Sequence, residues 1–387
     1  METKKKAWGF MGPFSVACVW FGTHVGPGFA GGAQLVSYFT KWGWIGVFLG
    51  PLVVALLSTY LIYYTMEFCR LYKTDNYHEF YKKVYGKYTI FFGTVKSILL
   101  VLGCFVVAAM IYATGGALLQ SLLGFPAYVG GLLTMAVIVL LTIFGEALVR
   151  KSSTVLTVVM IAMILYIAIR AIGPSWGGMR EYVGSRTMNA SYPTAWWNMI
   201  LYLPVFCSFM DAGIATSQST VKSSRDSILI AIMGSILIGG SIMLLNIMFS
   251  ARMPEIQSEA LPTLFALQHV MGNNIGITIL YTVLAFLALI STGVGFLYGA
   301  VARYEIVLGK VWKQSSATLR RAVILIAIMI GSVVFGQFGV LTIIQYGYVY
   351  MGNINLPVLM LPLMILLPIL VGRAKKKQTP AVVETDK

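Results

Sequence analysis

The chain has 387 residues, 58% of them hydrophobic and only 11% charged, with a formal net charge of +15. Soluble domains carry roughly 25% charged residues, so this composition excludes an ordinary soluble globule and places most of the chain in a lipid bilayer. The basic residues cluster between apolar stretches of about 20 residues, each enough to cross a hydrocarbon core of roughly 30 Å, a distribution that excludes a nucleic-acid-binding face.

The amino terminus, "METKKKAWGF", pairs positive charge with an apolar stretch, but no small-residue cleavage site follows, so we read it as a retained first span. In chain order the apolar segments lie at about 12–39, 44–69, 89–120, 127–149, 153–172, 195–221, 227–250, 274–306, 319–337 and 353–372. Most of the 28 basic residues then fall on one side: Lys4 to Lys6, Arg70 to Lys87, Arg150 and Lys151, Lys222 and Arg225, Arg303 to Arg321, and Arg373 to Lys387. The positive-inside rule therefore places both termini in the cytoplasm, in a multi-pass protein of the cell membrane. Segment 260–272 has helical apolar spacing and is expected over the outer mouth, and 338–353 reads as a partly buried connector. Cys18, Cys69, Cys104 and Cys207 lie in apolar segments without metal-like spacing and are expected as buried free thiols.

The first span contains "FGTHVGPGFAGGA" (21–33), with five glycines, a proline and His24 where lipid demands an uninterrupted helix. The sixth carries Pro204, Cys207, Ser208, Asp211 and Gly213 at matching depth. One opens the first five spans and the other the second five, and an odd number of spans per half inverts their orientation. The expected fold is all-α: one transmembrane domain over 1–387, about ten helices in a five-plus-five inverted repeat (about 12–172 and 195–372, then a cytoplasmic tail 373–387), with helices 1 and 6 broken. Interrupted helices in corresponding positions mark a transporter's binding site, because unwound backbone at membrane depth persists only where it is buried or lines a cavity. A packing seam of glycines is the plainer alternative.

Such a site draws Thr23, His24, Val25, Gly26 and Gly28 from helix 1 and Phe206, Cys207, Ser208, Phe209 and Asp211 from helix 6. Tyr112 of helix 3 is expected to close over the solute. A charge at the bilayer centre costs roughly 2.5–3.5 kcal/mol, so Asp211 is expected to accept a substrate amine, coordinate a cation or exchange a proton. His24, at the same depth, is its expected partner in a pH-sensitive latch. Glu67 with Arg70, Glu146 with Arg150 and Glu305 with Arg303 read as local helical ion pairs.

"GTHVGPGFAGGAQ" (22–34) resembles the helix 1 signature of YkvI-type bacterial membrane proteins, G-T-x-V-G-A-G-F-A-S/T-G-x-E, and "ISTGVGFLYGAVAR" (290–303) resembles their helix 8. That family looks like a branch of the amino acid–polyamine–organocation superfamily, with the LeuT-like fold. The resemblance implies a secondary transporter, and it departs from the pattern at His24, Pro27, Gly31 and Gln34. In the resembling fold, paired hydroxyls of helix 8, here Ser291 and Thr292, meet helix 1 carbonyls, here about Phe21, Gly22 and His24, to hold sodium. Sodium is thus the expected coupling ion, with no resident cofactor. The absence of a mid-depth lysine in the fifth span leans the same way, and proton coupling is the alternative.

The partners expected are a small polar or zwitterionic solute, amino-acid-like, and the lipid bilayer, with no nucleic acid; glycine-rich faces serve packing within one chain or between two. A ligand sensor on the same fold is the rival reading. An enzyme is disfavoured, since His24, His78 and His269 are far apart and no nucleophile or metal motif occurs. A channel would need a filter or rings of like residues, and neither is present.

Overall fold

The computed structural model describes residues 2–74, 76–144, 146–188, 190–207, 210–272 and 274–378. No strand occurs among them; the elements are helical throughout. Seven helices are long and apolar enough to cross a membrane: Ile45–Tyr72, His78–Leu123, Val158–Gly184, Ser224–Ser250, Ile275–Leu297, Ala317–Gly336 and Val340–Lys377. Ala127–Ile143 is a shorter apolar helix. The two broken helices complete an architecture of about ten.

Helix 1 is split into α1 (Glu2–His24), α2 (Pro27–Gly31) and α3 (Ala33–Tyr38). Pro27 has no N–H to continue α1, and Gly26 before it is extended at φ −102°, ψ −169°. The second interruption is Gly32, at φ +90°. A Cβ there would stand 2.6 Å from Thr263 Oγ1 and 2.8 Å from Phe249, so only glycine satisfies both the left-handed backbone and the close approach. Helix 2 follows as α4 (Gly50–Tyr72), entered through a π-helical turn at Ile45–Leu49.

The segment after helix 2 holds a short helix, α5 (Tyr77–Tyr85), capped by Asn76, whose side chain accepts from the Glu79 N–H at 2.9 Å. Then come α6 (Thr89–Leu123), α7 (Ala127–Phe144) and α8 (Glu146–Gly184). The fourth and fifth spans correspond to α7 and α8, and residue 145 between them lies outside the described residues. The fifth continues beyond 172 through Pro174 to Gly184, because backbone hydrogen bonding persists where the hydropathy signal ends at Arg170.

Helix 6 is broken as expected, into α9 (Tyr192–Cys207), α10 (Asp211–Ala215) and α11 (Ser217–Thr220). The chain continues through α12 (Ser224–Ser250), α13 (Pro262–His269), α14 (Ile275–Val311) and α15 (Ala317–Gly336). The helix expected within 260–272 is α13, which packs on α2, α3, α12 and α14.

The connector expected at 338–353 is not one. From Gly339 the chain is helical without interruption through α16 (Val340–Thr342), a π segment Ile343–Tyr348, α17 (Val349–Asn355), a π segment Leu356–Met360 and α18 (Leu361–Gln378). The π turns take up Gly347 and Pro357 by widening the helix, so residues that read as loop signals lie inside one long span. In the packing, α12 lies against α4, α8 and α1, while α6 lies against α7, α15 and α14. All four cysteines are free and buried.

Candidate functional site at the paired helix breaks

The two breaks face one another. The His24 ring, ending α1 and 3% exposed, lies 4.3 Å from the Phe206 ring and 5.8 Å from Tyr202, centroid to centroid. Tyr202 and Phe206 are one turn apart on α9, so they form a single aromatic face on which His24 rests. Across the break in helix 1, Phe21 and Phe29 meet edge to face at 6.0 Å, both fully buried. The Tyr281 hydroxyl of α14 donates to the Ala30 carbonyl and fixes α2 from outside.

Thr23 is half-buried and its hydroxyl donates back to the Trp20 carbonyl at 2.7 Å. Val25 is buried, and its N–H donates to the Phe21 carbonyl at 3.2 Å; the Gly26 N–H donates to the His24 carbonyl at 2.9 Å. Each of these two carbonyls keeps a second lone pair for another donor or a cation. Gly26 stands beside Thr292 of α14, whose Cγ2 lies 4.0 Å from where a Gly26 Cβ would be, so helix 8 brings a hydroxyl-bearing residue to the break. Ser291 precedes it and, like Gly22 on α1, is half-buried. Among the described residues no group of three or more His, Cys, Asp or Glu is placed to hold a metal ion. The oxygens at this junction are neutral, a set suited to a hard monovalent cation.

Gly28 is closed in by Gln34 Oε1 at 2.9 Å and Met110 Cε at 3.0 Å from its Cβ position. Helix 3 therefore presents Met110 to the break, and Thr114, one turn on, lies 3.6 Å from the Gly31 Cβ position. Tyr112, two residues from Met110 and roughly 200° around the helix, points elsewhere. Its ring fills the space left by Gly131 of α7 and Gly336 of α15, and its hydroxyl lies 3.5 Å from the Tyr128 carbonyl. The expectation that Tyr112 closes over a solute is corrected: it packs helices 3, 4 and 9. Cys207 is buried with Sγ 3.7 Å from the Leu203 carbonyl. Ser208 and Phe209 lie outside the described residues.

Asp211 begins α10, and its partner is not His24. Lys96 Nζ of α6 donates to both carboxylate oxygens, at 2.5 and 2.7 Å, with the lysine side chain 7% and the aspartate 26% exposed. The Tyr81 ring of α5 covers the ammonium, 3.9 Å from Nζ to its centroid. The half-helix thus turns Asp211 toward α6 and α5, while the His24 side chain turns toward α9. The signal for Lys96 was present in the sequence: a lysine two turns inside an apolar span requires a counter-charge.

Two further pairs reach beyond their own helices. Glu67 is fully buried and does pair with Arg70, at 2.8 Å, but it also accepts from the Ser224 hydroxyl at 2.7 Å, Ser227 at 3.0 Å and Lys375 of α18 at 3.0 Å. Glu305 pairs across to α15, with Arg321 at 2.7 Å and Arg320 at 3.7 Å. The side chains of Arg303, Glu146 and Arg150 lie outside the described residues.

No family model matches the chain. It is similar to the uncharacterized membrane protein YkvI of Bacillus subtilis, 24% identical over 352 residues that cover 88% of this chain and 92% of YkvI. Among solved structures it is similar to a Na+-coupled sialic acid symporter (TM-score 0.60, 14% identity, 91% of this chain and 79% of that one). It is also similar to MhsT in complex with L-phenylalanine (TM-score 0.57, 14%, 94% and 98%) and to the manganese transporter of Eremococcus coleocola (TM-score 0.56, 16%, 93% and 79%). With helices 1 and 6 broken and about ten spans that are helical throughout the described residues, this protein has the LeuT-like fold.

Proposed function

We propose that the chain is a secondary active transporter that moves a small polar or zwitterionic organic solute, amino-acid-like, by alternating access. Both termini are cytoplasmic and sodium is the coupling ion. The observation that carries this reading is the meeting of the two breaks, with His24 stacked on Phe206 and Thr292 beside Gly26. Helix-end backbone at Thr23, His24 and Gly28, with Val25 and Gly26 between α1 and α2, supplies N–H and C=O groups for the solute's charged ends, and Cys207, Ser208 and Phe209 are the proposed contributors from helix 6. Carbonyls of Phe21, Gly22 and His24, with Ser291 and Thr292, supply neutral oxygens for sodium. A Na+-coupled symporter and a protein bound to L-phenylalanine among the structural neighbours support sodium and an amino-acid-like solute.

Asp211 takes a different part from the one its sequence position suggested. Its charge is matched by Lys96, so the solute's amine falls to helix-end carbonyls, and the ion pair holds α10 to α6. Opening the α5 side of the protein separates these elements, and the pair must part. Because it is a titratable pair at the helix 6 break, proton coupling is the second reading.

The test is thermal unfolding of the purified protein in sodium and in choline, with a panel of amino acids, amines and related solutes. A ligand that binds only the folded state raises its stability by RT ln(1 + [L]/Kd). Sodium should stabilise, one solute should add to it only in sodium, and Thr292→Val should remove sodium's increment. Stabilisation that is equal in choline but varies with pH moves coupling to Lys96 and Asp211. No response across the panel overturns the solute class.

A further inference from the structure

Beside the meeting of the breaks, Trp20 and His24 of α1 and Ser58 of α4 line a cavity of about 10 Å³. All three residues are at least nine-tenths buried. Within the described chain, Trp20 Nε1, His24 Nδ1 and Ser58 Oγ find no hydrogen-bond partner. The remaining wall is apolar, including Leu61, Ile62 and Phe206. Buried polar groups in folded proteins are almost always satisfied, and three unsatisfied ones on residues that line a single cavity call for a shared partner.

The donor and acceptor inventory identifies that partner. The indole Nε1–H can only donate, so its partner must accept, which excludes a metal cation. Among the described residues no lysine or arginine lines the cavity, and burying an unpaired anion against apolar walls is costly, which excludes an anion. The occupant is neutral, accepts one hydrogen bond, and offers up to two to His24 Nδ1 and Ser58 Oγ. A buried water needs roughly 10–15 Å³ and two to four polar partners, and this cavity has both.

We propose that Trp20, His24 and Ser58 form a binding site for one water molecule. The water accepts from Trp20 Nε1–H and donates to His24 Nδ1, with the Ser58 hydroxyl as its third partner. Nδ1 is then the acceptor of a neutral imidazole, and the ring proton sits on Nε2. The last turn of α1 is tied to helix 2 where helix 1 breaks, and the His24 side chain acts as a positioning residue, leaving its backbone to the solute. This site does not depend on what the protein transports.

The test is an experimental map of the full chain in lipid at a resolution that shows ordered water. A single peak within hydrogen-bond distance, roughly 2.7–3.2 Å, of all three atoms is expected. An empty cavity, a peak touching fewer than two of them, or a peak lost when sodium is replaced by choline overturns the proposal. In parallel, Ser58→Ala and Trp20→Phe should each lower the melting temperature by a few degrees. The double variant should lose less than the sum, because the same water is lost twice; strict additivity overturns the proposal.

Discussion

Lys96 decides what Asp211 can do. A carboxylate facing an ammonium at 2.5 Å inside apolar surroundings is held by its counter-charge, and removing one partner leaves the other buried alone. Breaking a buried pair costs about 3–5 kcal/mol; with Asp211 a quarter exposed, Asp211→Asn should cost about 3 kcal/mol in denaturant unfolding. The double variant Lys96→Met, Asp211→Leu, which removes both charges, should recover most of that loss, and equal destabilisation of single and double variants would contradict the pairing. The proposed transport predicts that uptake into vesicles is lost in Asp211→Asn, where the tie between α10 and α6 is missing. At this scale the sequence singled out position 211 and named the wrong partner. Depth along a helix can be counted from the chain, whereas the direction a side chain faces depends on how half-helices rotate after a break. Tyr112 illustrates the same limit: its depth was legible, and its azimuth, opposite to that of Met110, was not.

Among the elements, the interruption of helix 1 is specified by residues that permit nothing else. Gly32→Ala would place a Cβ against Thr263 and Phe249 in a left-handed backbone, and the conformational term alone costs roughly 1–2 kcal/mol. Thermal unfolding should show a loss larger than that, while Gly86→Ala, also at positive φ but with nothing within 4 Å of its Cβ, should show the conformational term only. The breaks were legible because proline and glycine act locally. The long helix from 340 to 378 was not, because the same residue types can be absorbed by π turns when neighbouring helices hold the backbone in place. Likewise α5 hid in a polar, charged loop: its helix is capped by Asn76 and packs aromatic residues against α6, a signal that hydropathy averaging discards.

For the molecule as a whole, the count of spans follows from apolar length alone, and the all-helical fold with helices 1 and 6 broken agrees with it. What length could not convey is how the helices are tied at their ends. Glu67, with no exposed surface, gathers Arg70, Ser224, Ser227 and Lys375 from helices 2, 7 and 10. Glu67→Ala should therefore destabilise the fold by about 3–5 kcal/mol in denaturant unfolding, more than Glu79→Ala on the exposed face of α5, where the pair with Lys83 is 3.8 Å apart and open to solvent. The position of Lys375 in this knot also bears on how the protein is handled in expression work. The basic residues after Gly372 look like a dispensable tail, yet one of them neutralises a carboxylate sealed inside the bundle. Purification tags and fluorescent reporters belong after Gln378, since a fusion joined a few residues earlier would withdraw a stabilising cation and report on a weakened protein.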